Sequence, residues 1–246
     1  MEVGRRRMKN DIYQDLDAVS GSRQALYAFL SRLFERELTE DVIKELQERT
    51  DAITQLEPLK GMGNKKLNSG LEHLDSYLKA TRSTPKAEVQ KGLSVEFAGL
   101  FQGGWPKTTH PSESHYATGG EAAKQKKRQA VAETYKSLGL DKSASFNEPD
   151  DHIAVELQFM SYLAKETAAA AKGKDQAKSL ELLKVQHKFL NNHLGKWVGL
   201  LSNDVSKHAK SSFYKGAALV AAGFVEEDIK VVDDFIDDVM PKAKGS

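Results

Sequence analysis

The sequence predicts an all-α protein that folds as a single compact domain of roughly ten helices. Apolar residues recur at the spacing of one helix face through most of the chain. Alternating runs bounded by turn residues, which would indicate a sheet, do not occur in the sequence. The hydrophobic content of 39% and the charged content of 29% are ordinary for a globular protein, and 246 residues can bury a substantial core.

The composition excludes several classes of function. The chain has no cysteine, which rules out disulfides, thiolate catalysis and cysteine-based metal sites. Its 36 basic and 35 acidic residues leave a net charge of +1, so the overall charge does not indicate nucleic-acid binding. No apolar run approaches the roughly 20 residues needed to span a bilayer. The arginines at positions 5–7 are followed by polar residues instead of the apolar part of an export signal. We therefore expect a cytoplasmic protein without stable membrane insertion.

The first half of the chain predicts several helices in succession. Residues 1–20 are polar, and we expect a flexible N-terminus there, followed by a helical domain at 21–240 and a tail at 241–246. Ser22 is the predicted cap of the first strong helix, and Thr39 is that of the second. Four leucines at helical spacing, at positions 67, 71, 74 and 78, predict a third helix whose stripe lies in the core.

A long irregular connection at residues 103–120 follows a helix that begins at Pro85 and ends near Phe101. Long ordered loops of this kind are often functional, and this one contains Trp105 and Tyr116. Its histidines lack the spacing of metal ligands on a helix, and no G-x-S-x-G element supports a hydrolase triad. The sequence therefore predicts neither a metal site nor a catalytic serine in this connection.

A basic helix is predicted at residues 121–138, ended by Gly139. Its run of lysines and arginine at 124–128 is consistent either with a solvated face or with a surface for an acidic partner. The polar connection at 139–150 is a candidate hinge for domain swapping, since such a hinge permits two chains to exchange halves. We therefore expect a monomer or a homodimer.

The most apolar predicted helix lies within residues 147–164, where an acidic, proline-containing start leads into it. Pro149 is tolerated in a first helical turn, and Asn147 or Asp150 is the predicted cap. Apolar residues cover nearly the whole circumference of the helix. We expect this helix to be central and surrounded by other elements.

The start of this helix is consistent with two interpretations. Glu148, Asp150 and Asp151 place negative charge where exposed N–H groups make a helix end positive. His152 and Glu156 are four residues apart and can pair on one face. The stretch is either a well-capped core helix with a surface ion pair or a binding site at the mouth of the helix.

The last part of the chain predicts three further helices, each with an apolar face. The first ends at Trp197, and the second, at residues 213–224, is rich in small residues that allow close helix approach. Gly223 is the predicted end of that second helix. The last helix, from about 226 to 240, has an exposed acidic face formed by Asp233, Asp234, Asp237 and Asp238.

The start of the central helix resembles the signature of the TorD-like family of redox-enzyme maturation chaperones, which includes TorD, DmsD and NarJ proteins. The resemblance rests on Glu148, Pro149, Asp151, His152, Glu156, Leu157, Phe159 and Met160. Three further elements follow the order found in that family. They are the aromatic-x-x-Leu-Phe element at 97–101, the Pro-x-Glu-Ser-x-Tyr element at 111–116, and the run containing His193 and Trp197.

This resemblance implies a cytoplasmic, system-specific chaperone that binds the apo catalytic subunit of a molybdenum-containing oxidoreductase, and often its twin-arginine leader. It would assist cofactor insertion and assembly before export. The client carries the molybdenum cofactor, and the chaperone itself would be no enzyme and hold no cofactor. A leader presents two arginines and then an apolar stretch, so its receptor needs carboxylates and an apolar groove. The leader-binding residues predicted on this basis are Glu148, Pro149, Asp150, Asp151, His152, Glu156, Phe97, Leu100, Phe101, Trp105, Glu113, Ser114 and Tyr116.

Two other interpretations remain open. Guanine-nucleotide binding is associated with some members of the family, although this sequence contains no phosphate loop. A non-catalytic assembly scaffold is equally compatible with an all-helical chain. No nucleophile–base pair or dinucleotide fingerprint in the sequence indicates an enzyme.

Overall fold

The computed structural model describes residues 11–49, 63–103, 109–142 and 146–240, and nine α-helices account for most of them. The helices are α1 (Ile12–Glu35), α2 (Glu40–Glu48), α3 (Lys65–Ala80), α4 (Lys86–Phe97), α5 (Gly120–Lys136), α6 (Ile153–Lys172), α7 (Gln176–Asn192), α8 (Leu194–His208) and α9 (Ser212–Val239). A π-helical turn, Ala98–Gln102, extends α4, and a short 3-10 helix, Glu113–Tyr116, precedes α5. Across these residues there is no strand, and an isolated bridge joins Ser112 to His152. The predicted all-α fold is confirmed.

Two long helices organise the core. Helix α6 packs along α1 and also contacts α7 and α8, while α9 packs along α3 and contacts α1, α7 and α8. Helix α6 buries side chains on most of its circumference, from Ile153 to Ala171, in agreement with its predicted central position. Helix α9 shares that central position, with most of its residues from Phe213 to Val232 in the interior.

The N-terminal helix begins earlier than the sequence indicated. Asp11 caps α1 by accepting a hydrogen bond from the Tyr13 N–H at 3.1 Å, and Leu16 is fully buried. Ser22, the predicted cap, lies inside the helix and donates to the Ala18 carbonyl. The predicted flexibility of residues 1–20 is therefore wrong for residues 12–20, because the wide apolar surface of α6 buries even a weak stripe. Residues 1–10 lie outside the described residues.

The last two predicted helices form one continuous helix. Helix α9 runs through Gly223, which was the predicted end of a helix. A Cβ atom at Gly223 would lie 2.4 Å from the Leu67 backbone nitrogen, and one at Gly216 would lie 2.8 Å from the Gly70 carbonyl oxygen. These glycines are required by the close packing of α9 on α3, as the small residues of this segment suggested, and not by a turn.

A buried polar network joins α1, α7 and α9. The Arg23 guanidinium pairs with both oxygens of Asp228, at 2.5 and 2.8 Å, and also donates to Gln186 Oε1 at 2.6 Å. The Tyr27 hydroxyl donates to the same aspartate at 2.6 Å. Burial, together with the nearby Asp228 carboxylate, raises the pKa of Tyr27 well above its usual value, so Tyr27 stays protonated and remains a donor.

The start of α6 also differs from the sequence-based expectation. His152 is its N-cap, and its Nδ1 atom accepts a hydrogen bond from the Ala154 N–H at 3.2 Å. Neither Asn147 nor Asp150 takes that role. The helix begins at Ile153, four residues after Pro149, because the segment before it pairs with residues 111–113 around the isolated bridge. Residues 143–145 of the predicted hinge lie outside the described residues, so domain swapping stays a prediction.

Candidate functional site

Two of the sequence elements that carry the family resemblance meet in space. The Glu113 N–H donates to the Asp151 carbonyl at 2.9 Å, and the Ile153 N–H donates to the Pro111 carbonyl at 2.8 Å. We call residues 111–116 and 150–156 the motif junction. It joins the 3-10 helix before α5 to the start of α6, although the two pairs are 38 and 42 residues apart in the chain.

Asp151 lies inside the motif junction. Its side chain is fully buried, and its Oδ2 atom accepts a hydrogen bond from the Ser114 N–H at 2.6 Å. Its Oδ1 atom is buried without a hydrogen-bond partner among the described residues. Ser114 is likewise buried, and its hydroxyl accepts from Arg128 Nε at 3.1 Å. The predicted placement of Asp151 at an exposed helix mouth is therefore wrong, because the carboxylate anchors the preceding turn instead.

Glu113 connects the motif junction to two other helices. Its carboxylate is buried and lies 2.8 Å from Lys127 Nζ of α5 and 2.8 Å from His193 Nδ1 between α7 and α8. Because a carboxylate accepts hydrogen bonds, this contact favours the tautomer of His193 with a proton on Nδ1. The predicted leader-binding residue Glu113 thus holds three parts of the chain together.

Glu156 is also fully buried, one turn into α6. Its Oε2 atom accepts a hydrogen bond from Trp197 Nε1 at 3.0 Å, and its Oε1 atom has no partner among the described residues. Burial raises the pKa of Glu156 well above its usual value, and the nearby carboxylates of Glu113 and Asp151 raise it further. The sequence-based interpretation of Glu156 and His152 as a surface ion pair is wrong, since both side chains lie in the interior.

The aromatic residues predicted to line an exposed groove are mostly internal. Phe97, Leu100 and Phe101 are at most 5% exposed, and the two phenylalanines pack against Tyr214 of α9. Their role is core packing, so the prediction that they line an accessible groove is wrong. Tyr116 is partly exposed, stacks on Trp197 and donates to Asp204 at 3.1 Å. Trp105 lies outside the described residues.

The accessible residues of the predicted site lie in the connection before α6. Glu148 and Pro149 are exposed, and Asp150 is partly exposed. The Asp150 carbonyl accepts a hydrogen bond from the Tyr135 hydroxyl at 3.1 Å, which ties this connection to α5. Only these residues and Tyr116, among the predicted site residues that the structure describes, present side chains to solvent.

An apolar cleft of about 330 Å³ borders the same connection. Its apolar lining comes from α6, through Val155, Phe159 and Tyr162, and from the connection, through Leu140 and Phe146. Three charged residues also line it, namely Glu35 at the end of α1 and, in the connection, Asp141 and Lys142. We call this site the apolar cleft. The second apolar stripe on α6 was the one sequence signal for it, since the position of α1 beside α6 could not be read from the sequence.

A metal site and a membrane-spanning helix receive no support from the described residues. They contain no group of three or more histidine or acidic side chains arranged to hold a metal ion. No helix among them combines the length and apolar character needed to cross a membrane.

Comparison with known proteins agrees with this architecture. A family model described as "Nitrate reductase delta subunit" matches residues 64–203. A relative named "Chaperone protein TorD" from Vibrio cholerae serotype O1 (strain M66-2) is 28% identical over 91% of this chain and 97% of its own length. Proteins of the same name from Psychrobacter sp. (strain PRwf-1) and Salmonella arizonae are 27% and 26% identical, covering 90% and 84% of this chain and 96% and 92% of their own lengths. The predictions of a TorD-like chaperone and of no enzymatic activity are confirmed by these relationships. The chain belongs to the nitrate reductase delta subunit family.

Proposed function

We propose that this protein is a cytoplasmic chaperone that binds the apo catalytic subunit of a molybdenum-containing oxidoreductase, together with its twin-arginine leader. It assists cofactor insertion and assembly before the client is exported. The family description and the chaperone names of the relatives support the general role. The observation that supports leader binding is the apolar cleft with carboxylates at its edge.

The chemistry of the apolar cleft matches that of a leader. The apolar stretch of a leader helix can bury its side chains against Val155 and Tyr162, which are partly exposed on α6. Its guanidinium groups require carboxylates that solvent can reach. Glu35 and Asp141 satisfy this condition, since the Glu35 side chain is 33% exposed and Asp141 is exposed.

The buried carboxylates of the motif junction have a supporting role in this proposal. Asp151 and Glu156 are inaccessible to a partner, and their hydrogen bonds hold the start of α6, which forms one wall of the apolar cleft. Glu148 and Asp150 are accessible and follow Phe146 of that cleft in the chain. They add negative charge to the connection that borders the cleft.

Isothermal titration calorimetry of the full chain with a twin-arginine leader peptide tests the proposal. The Glu35→Gln/Asp141→Asn double variant removes two charges and preserves shape, and we expect binding to weaken by about 1–3 kcal/mol. The matched control is Glu72→Gln/Asp234→Asn, which removes two exposed carboxylates from α3 and α9 and should bind normally.

The outcomes separate the alternatives. Equal affinity of the first double variant and the wild type, with normal circular dichroism for both, would contradict binding at the apolar cleft. Loss of affinity in the control variant alone would place the leader away from the apolar cleft, at Glu72 of α3 or on the acidic face of α9. Titration with a guanine nucleotide in parallel tests the nucleotide-binding alternative.

A further inference from the structure

A small polar pocket of about 180 Å³ lies beside the motif junction and is distinct from the apolar cleft. Lys124 and Arg128 of α5 line it, together with His110, His115 and Ser114. The two imidazole rings stack with their centroids 3.3 Å apart and form one wall. We call this site the basic pocket. Leader binding does not require it, because a leader is itself cationic.

The Arg128 guanidinium is held in place by the buried residues of the motif junction. Its Nε donates to the Ser114 hydroxyl at 3.1 Å, and the Ser114 N–H is fixed in turn by Asp151 at 2.6 Å. The remaining ion pair of Arg128 is with Glu121 at 3.5 Å, and that carboxylate is 73% exposed. Such an exposed pair contributes little, so a partner carboxylate can replace it.

Lys124 adds a second cation one helical turn before Arg128. It forms no ion pair with any residue that the structure describes. Helix α5 carries five cationic and two acidic side chains, in a chain whose net charge is only +1. The five cationic and two acidic side chains give this helix a net charge of +3. Glu148 also lines the pocket, and Glu121 pairs with Arg128. Both carboxylates are exposed, so solvent and salt screen their effect on an incoming anion.

We propose that the basic pocket and the exposed cationic face of α5 bind an acidic polypeptide segment of a protein partner. One carboxylate of that segment pairs with Arg128 and Lys124 in the pocket. A guanidinium whose Nε is already fixed presents its terminal N–H groups in a plane that matches a carboxylate. The pocket is smaller than the roughly 300–1,000 Å³ typical of sites that enclose a whole small molecule. It suits one acidic side chain, with neighbouring acidic residues lying along α5.

Fluorescence anisotropy with a short, labelled, glutamate-rich peptide and the full-length protein tests this proposal. We expect Arg128→Gln to weaken binding at least about tenfold, because a charge-assisted hydrogen bond is lost. Lys124→Gln should also weaken binding, and it removes no hydrogen bond or ion pair with the described residues. The control, Lys184→Gln, neutralises an exposed lysine on α7 and should leave the affinity unchanged. Arg128→Lys should restore only part of the affinity, since lysine lacks the planar donor pair.

Several results would overturn the proposal. One is a loss of affinity in Lys184→Gln as large as that in the pocket variants, which would indicate non-specific electrostatic attraction to surface lysines. Another is equal binding of a peptide with glutamine in place of glutamate. Binding of inorganic phosphate with no binding of the peptide would assign the pocket to a free anion. Because the basic pocket is distinct from the apolar cleft, we expect Arg128→Gln to bind the leader peptide normally. Failure of the acidic peptide to bind would therefore not count against the proposed leader binding.

Discussion

At the scale of single residues, three carboxylates of the family-like elements face the interior. Glu113, Asp151 and Glu156 are each at most 3% exposed, and each accepts a hydrogen bond from a different part of the chain. A buried carboxylate is costly unless it is paired or hydrogen-bonded, so these residues require their partners to be correctly placed. Their chemistry specifies how the 3-10 helix, α6 and α8 meet.

Glu156 provides a prediction about pH. Burial raises its pKa, so the folded protein retains a proton that the unfolded chain releases above about 4.5. A carboxyl of this kind lowers stability as the pH rises from its unfolded pKa towards its folded pKa. Glu156→Gln keeps an acceptor for Trp197 and cannot ionise. We therefore expect its free energy of unfolding, relative to the wild type, to increase from pH 4.5 to neutral pH in urea denaturation experiments.

The Glu72→Gln variant is the control for this experiment, because it replaces an exposed carboxylate by the same amide. A constant difference for Glu156→Gln would show that Glu156 ionises as readily in the folded chain as in the unfolded chain.

At the scale of elements, the contact between α3 and α9 depends on glycines, which have no side chain. Gly70, Gly216 and Gly223 allow the two backbones to approach so closely that a Cβ atom at any of them would overlap the other helix. Asn64 caps α3 at the same place by accepting from the Lys66 and Leu67 N–H groups. The cap and the glycines together fix the position of α3 along α9.

Gly223→Ala should destabilise the protein. Its Cβ would lie 2.4 Å from the Leu67 nitrogen and 2.9 Å from the Asn64 side-chain oxygen. Because these atoms belong to a backbone and to a cap, we expect a loss of about 1–3 kcal/mol. Chemical denaturation measures this change.

Gly92→Ala is the matched control in α4. Nothing lies within 4 Å of the added Cβ, and alanine favours the helix, so we expect a gain of about 0.5–1 kcal/mol. Similar effects of the two substitutions would contradict the close packing of α3 on α9.

At the scale of the whole molecule, the connection at 139–150 lies between two sets of helices that pack extensively on each other. Helix α1 packs on α6 across it, and Ser114 bonds Asp151 across it. Every such contact can form equally well between two chains that exchange halves. The same interactions that stabilise the monomer would then stabilise a dimer.

We expect a monomer to coexist with a minor dimer on size-exclusion chromatography over a wide range of concentrations. The dimer should persist after dilution, since separation requires unfolding of the exchanged halves. Partial unfolding and refolding at high concentration should increase its share. A purely monomeric profile after that treatment would rule out exchange at this connection.

Much of the fold was predictable because it depends on local spacing. The leucine stripe from Leu67 to Leu78, the Thr39 cap and the apolar coverage of α6 all agree with the structure, since each arises from neighbouring residues in one helix. The early start of α1 and the continuity of α9 through Gly223 were not predictable. Both depend on a partner helix far away in the sequence.

The sequence by itself determined the helical class, the family-like elements and the absence of cysteine chemistry. Only the tertiary structure decided which of the predicted site residues a partner can reach. Charged residues at a helix start are exposed or buried according to what packs over them. Asp151 is buried where the N–H groups of Glu113 and Ser114 donate to its carbonyl and its carboxylate. The apolar cleft and the basic pocket likewise arise where elements from separate parts of the chain meet, so their residues share no local pattern.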